Sequence, residues 1–219
     1  MKINILLLTV VSLFVLSCIQ PQNCLDGINL LPMYGEVKKC PGQLEADQQF
    51  LKECDKDYKT RKEAAAHMVM RGWQYFYSNK PDTSMMRFNQ AYLLDSLNAE
   101  IYWGYGNLLG MQKKFKESLR FFKRSLKLHA NNAKIWQDMA ISYGNLFFDS
   151  KDSKFLDSAV SSTKKAITLD PNNPKLYGQL TTCYSYFIQK DSAKKYLKIT
   201  EQMNPNAVNP EVKQLLSDK

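Results

Sequence analysis

One pattern, met four times at a spacing of about 34 residues, restricts this chain to a row of stacked helix pairs. It is plainest in 99–132, which reads Tyr102-x2-Tyr105-Gly106-x2-Leu109, then Ser118-x3-Phe122, then Ala130 just before Asn131-Asn132. Residues three and four apart share one face of an α-helix, so the first half presents an aromatic, an apolar and a small residue together. The second half answers with a small residue and an aromatic. Neither helix can bury its stripe alone, and the stack must stabilise itself through neighbours.

The neighbouring units repeat this pattern with local departures. In the first, Met68, Gly72 and Tyr75 precede Phe88, Ala91 and Ser96, with Arg71 at the apolar position. The third restarts with Trp136-x2-Met139-Ala140-x2-Tyr143, but Ala159, Ala166 and Pro171 come seven residues late. Seven residues is about two helical turns, so the insertion at 147–153 is expected to add one turn to each helix without losing phase, with a loop as the alternative. The fourth returns to period with Tyr177-x2-Leu180-Thr181-x2-Tyr184, then Ala193-x3-Leu197 and Pro205. Small Gly72, Gly106, Ala140 and Thr181 are expected to admit the partner helix closely, with Phe88, Phe122 and Leu197 filling the seams. Helix starts are signalled by Thr60-x2-Glu63, by Asp82 as a cap, by Asn173-Pro174 and by Asn209-Pro210.

Four units in register, with Leu-Asp-Pro-Asn-Asn at 169–173 and cousins at 94–98 and 128–132, resemble the tetratricopeptide repeat over roughly 65–207. The resemblance implies an all-α, right-handed helix-turn-helix solenoid of about four repeats: 65–98, 99–132, 133–173 with the insertion, and 174–207. An N-terminal helix and linker, 43–64, would precede it, and a capping helix in 208–219 would close it. It also implies that first helices line a concave surface that binds an extended peptide or protein partner. The groove positions would be Trp73, Phe76 and Tyr77, then Trp103, Asn107 and Met111, then Asp138, Ile141 and Asn145, then Gln179, Thr182 and Tyr186. The family's grip on a terminal carboxylate is not expected. Asn107 and Lys175 fall at its positions, but Trp103, Asp138 and Gln179 replace the other basic and amide groups.

The chain opens with Lys2 and an apolar run over 5–16, too short to span a bilayer comfortably and suited to an export signal, 1–17. Val15-Leu16-Ser17-Cys18 resembles the bacterial lipoprotein box, which implies an acylated Cys18 and stable membrane anchoring. The absence of Asp after Cys18 resembles outer-membrane sorting. Pro21, Gly27, Pro32, Gly35, Pro41 and Gly42 make 18–42 a tether, although the apolar stretch 30–35 is expected to pack on the first repeat. In an exported chain Cys40 could pair with Cys54, or Cys24 with Cys40, or the thiols could stay free. Their spacing does not suit zinc.

The formal net charge of +9 is concentrated in Lys113, Lys114, Lys116, Arg120, Lys123, Arg124 and Lys127. A solvated outer face explains such a row, and an anionic lipid surface or acidic partner is the alternative. Nucleic acid is not expected of an exported chain. Neither His67 nor His129 has the neighbours of a triad or metal site, and no phosphate-cradling glycine loop occurs. The expectation is therefore a non-enzymatic scaffold without metal or cofactor, lipid-anchored at the cell envelope. Alternatives are an assembly subunit docking through the basic convex face, or a glycan-binding surface lipoprotein.

Overall fold

The computed structural model describes residues 24–186 and 189–217, and among these every regular element is helical. Helix α1 spans Pro41–Asp57. Four antiparallel pairs follow: α2 (Arg61–Tyr77) with α3 (Pro81–Leu94), α4 (Ala99–Met111) with α5 (Phe115–Leu128), α6 (Ala133–Ser150) with α7 (Ser153–Leu169), and α8 (Pro174–Tyr186) with α9 (Lys190–Met203). A last helix, α10 (Pro210–Ser217), packs on the fourth pair.

The periodic asparagines start the helices. Asn98, Asn132, Asn173 and Asn209 each accept, through the side-chain oxygen, the backbone N–H two residues on. Such caps satisfy donors that the first helical turn leaves without partners. Thr60 accepts from Glu63 N–H in the same way at α2. Asp82 does not cap α3: Pro81 occupies the first helical position after Lys80, and Asp82 stands in the first turn, where its charge suits the helix dipole.

The small residues are small because aromatic rings lie against them. A Cβ on Gly72 would come 2.8 Å from the Phe88 ring, and one on Gly106 2.4 Å from the Phe122 ring. Both rings are buried. Dense packing of this kind leaves no room for one extra carbon. The insertion is helical, as its phase implied. Helix α6 has 18 residues against 13 in α4, and α7 has 17 against 14 in α5. Leu146 and Leu156 bury the added turns.

Residues 24–40 form a loop closed by a Cys24–Cys40 disulfide, while Cys54 and Cys183 are free and buried. The Cys40–Cys54 alternative is thereby excluded. The loop packs along α3 and α5, so the apolar stretch 30–35 rests on two repeats rather than one. Met33, Tyr34, Gly35 and Glu36 all have positive φ, making a left-handed turn. A left-handed conformation costs about 1–2 kcal/mol at each non-glycine residue. Burial of Met33 and Tyr34 offsets that cost. Asn89, itself buried, donates to the carbonyls of Asn29 and Leu31, both at 2.9 Å, and accepts from the Tyr105 hydroxyl at 2.6 Å. The expected signal and the lipidation cysteine, Cys18, lie outside the described residues.

Candidate functional site: the first-helix groove

First helices α2, α4 and α6 touch one another in turn and form one face of the stack. At its start the Trp73 and Trp103 rings lie 4.6 Å apart between centroids, tilted by 57°. Phe76 meets Trp73 edge-on and Tyr77 stacks on it. Phe88 supports Trp73 from within the core. Both tryptophans are half-buried, and Tyr77 is 77% exposed, so this ridge is not sealed into the core.

Polar groups fix the ridge. Trp73 Nε1 donates to Glu100 at 3.3 Å, and Trp103 Nε1 donates to Asp138 Oδ2 at 2.6 Å. Asn107 Nδ2 donates to the same Asp138 oxygen at 3.0 Å. Burial raises the Asp138 carboxyl above the ordinary carboxylate range, while the donations from Trp103 and Asn107 act in the opposite direction. Asp138 is thus a strut between the second and third pairs, with two of its hydrogen bonds already used internally.

Beyond the ridge a cleft of about 390 Å³ runs between α4 and α6, lined by Phe76, Asn107, Met111, Asp138, Ile141 and Asn145. A second, of about 180 Å³, runs between α6 and α8 and shares Ile141 and Asn145 with the first. Gln179, Thr182 and Tyr186 line this second cleft. Of the groove positions inferred from spacing, Phe76, Asn107, Met111, Asp138, Ile141, Asn145, Gln179, Thr182 and Tyr186 line these two adjoining clefts, whereas Trp73, Tyr77 and Trp103 line neither and form the ridge beside them. Gln179 Nε2 donates to the Gln137 carbonyl at 3.3 Å, but its Oε1 is buried without a partner among the described residues. An unpaired buried acceptor is costly and suits a donor brought by a ligand.

Sequence reasoning missed Phe147 and Phe148, which the insertion delivers to the far cleft. Phe148 meets Tyr186 edge-on at 4.8 Å between centroids. It lies seven residues after Ile141, a spacing that holds two side chains on one helical face, and that signal could have found it. Phe147, Phe148 and Tyr186 thus place aromatic surface beside the polar Gln179 and Thr182 in this cleft. Cys183 borders the same cleft, but burial pushes its thiol up to about 12, which keeps it protonated and unreactive at neutral pH.

The basic residues do not form one patch. Lys113 borders the inner cleft, and Lys114 stands at the start of α5. Lys116, Arg120, Lys123, Arg124 and Lys127 face the outer side, where Arg120 pairs with Glu36 and Arg124 donates to Met33 Sδ at 3.2 Å. His67 is hydrogen-bonded to the Tyr58 hydroxyl, and His129 ends α5. Among the described residues no group of three metal-ligating side chains occurs, and no helix is long and apolar enough to cross a membrane.

No protein-family model matches the chain, and no curated protein matches its sequence. Solved structures do match. MamA aligns with a TM-score of 0.57 at 18% identity, covering 72% of this chain and 86% of that one. YrrB, described as a TPR protein with an unusual peptide-binding site, aligns at 0.57 and 19% identity, covering 71% and 75%. TTC0263, a thermophilic TPR protein of Thermus thermophilus, aligns at 0.58 and 17%, covering 69% and 79%. At such identities the likeness establishes the fold, a helical tetratricopeptide-repeat solenoid.

Proposed function

We propose that this tetratricopeptide-repeat solenoid is a lipid-anchored scaffold of the bacterial outer membrane that holds an extended peptide or protein segment in its first-helix groove. The observation that carries the reading is the half-buried Trp73–Trp103 ridge beside two adjoining clefts, the second with an unpaired acceptor at Gln179 among the described residues. Aromatic ridges beside concave, desolvated pockets are where binding energy concentrates. YrrB shares the fold and is described as having a peptide-binding site, which supports the same use here. Cys18 after Val15-Leu16-Ser17 supports the anchor, and a Cys24–Cys40 disulfide suits an oxidising compartment outside the cytoplasm. No part of this role calls for catalysis or a cofactor.

The test is crosslinking in intact cells, with capture by wild type compared with a Trp73→Ala/Trp103→Ala variant. Burial of aromatic surface should make capture persist at high salt, and the variant should lose most of it while keeping its helical circular dichroism. Equal capture by a folded variant would reject the groove. Metabolic labelling with palmitate, lost in Cys18→Ala, tests the anchor separately.

A further inference from the structure

Second helices α5 and α7 leave a trough of their own on the outer face of the stack. Its floor is apolar, with Leu119, Met139 and Leu146 buried beneath it and Tyr143 half-exposed. Its rim is cationic. Lys116, Lys123 and Lys127 stand along α5, and among the described residues none of them is paired with a carboxylate. Asp157, on the α7 bank, is the acid at that edge. Two connected hollows of about 720 Å³ and about 810 Å³ share Lys123, Lys127 and Tyr143, so the trough is long rather than round.

The equivalent trough one pair earlier, between α3 and α5, is filled by this chain's own loop. Met33 sinks there into the cluster of Tyr105 and Phe121, leaving 5% of its surface exposed. Glu36, three residues on, pairs with Arg120. Asn89 takes up the backbone carbonyls of Asn29 and Leu31. The molecule itself therefore records what such a surface accepts: an irregular segment with an apolar anchor, followed closely by an acid. The next trough also has an apolar floor, and its Lys116, Lys123 and Lys127 are unpaired among the described residues; the loop touches only its edge, through Arg120 and Arg124.

We infer that the α5/α7 trough binds an extended acidic segment of a partner protein, with an apolar side chain seated over Tyr143 and Met139 and carboxylates against Lys123 and Lys127. This site lies on the face opposite the Trp73–Trp103 groove and goes beyond the role proposed for that groove. A scaffold built this way holds two segments at once, one by aromatic burial and one by charge and an apolar anchor.

The probe is a panel of fluorescein-labelled nonapeptides with Met, Leu, Phe or Tyr at the centre and Glu at flanking positions, titrated with the full chain by anisotropy. At least one member should bind, and should weaken about tenfold with Lys123→Glu/Lys127→Glu or with Gln replacing Glu in the peptide. Raising salt from about 50 to about 300 mM should weaken it severalfold. The Trp73→Ala/Trp103→Ala variant should bind it within about twofold of wild type, which separates this trough from the groove. Each of the following results overturns the inference: no peptide binding better than its Gln counterpart, or binding lost in the tryptophan variant. So would vesicles containing phosphatidylglycerol binding through Lys123 and Lys127 while the peptides do not, or self-association of the chain abolished by the same lysine changes.

Discussion

Trp103 and Asp138 face each other across the second and third helix pairs, joined by an indole N–H donating to a carboxylate at 2.6 Å. The pair ties the aromatic ridge to the floor of the trough, because Asn107 donates to the same oxygen. Removing the carboxylate with Asp138→Ala leaves the part-buried Trp103 N–H without its acceptor and Asn107 with the Trp103 carbonyl alone. The expected cost is about 1–3 kcal/mol in urea denaturation.

The same residue sets a pH dependence. Burial raises the Asp138 carboxyl in the folded chain, so the folded state holds this proton more tightly than the unfolded state. Its contribution to stability is complete below the ordinary carboxylate value of about 4 and is lost as pH rises through the raised one. Asp138→Asn should remove that slope. A pH series of denaturation midpoints for both proteins checks this, and parallel curves would refute it.

Gly106 lies where a methyl group would enter the Phe122 ring. Alanine is the better helix former by about 1 kcal/mol, so a surface glycine would gain from the change. Here Gly106→Ala should instead destabilise by about 1–3 kcal/mol, and Phe122→Leu should relieve part of that loss in the double variant. Additive losses in a denaturation cycle would mean that the two positions do not meet.

Asn89 carries the loop on two hydrogen bonds and satisfies the Tyr105 hydroxyl with a third. Burial holds the Tyr105 phenol well above its ordinary range, so it acts as a neutral donor throughout the accessible pH range. Asn89→Ala should cost about 2–4 kcal/mol, and Tyr105→Phe nearer about 1. Hydrogen exchange at 28–36 should rise in the first and change little in the second.

The Cys24–Cys40 bridge closes the base of that loop over a separation of 16 residues. A crosslink of this span stabilises by about 3 kcal/mol through the unfolded chain. Cys24→Ser/Cys40→Ser should therefore lower the thermal midpoint and speed exchange at 28–36. The groove residues of α6 and α8 should exchange as before.

The repeat architecture was legible because its spacing is geometric. Tyr102 and Gly106 share a face by helical period, and a ring must fill what a missing side chain leaves, so Phe122 followed from Gly106. The same period brings Trp73 beside Trp103 on successive first helices and sets Ile141 at the cleft next to them. The loop was not legible in this way. Met33, Tyr34 and Glu36 adopt left-handed backbone against their own preference, under tertiary contacts that no local pattern announces. The choice between cysteine pairings likewise depends on where that loop lies, and Cys24 reaches Cys40 only because it folds back on α3. Asp138 could be placed on the groove by spacing, but its hydrogen-bond partners come from the preceding pair, 31 and 35 residues away, and no local pattern announces them.

Helix α6 outruns α4 by five residues, a further rise of about 7.5 Å. The receptacle consequently has a low sill at the tryptophans and a raised lip at Phe148, and its two ends are chemically unlike. For the polypeptide proposed to lie there, the two directions of threading would not be equivalent, because the seven inserted residues set Phe148 against one end only.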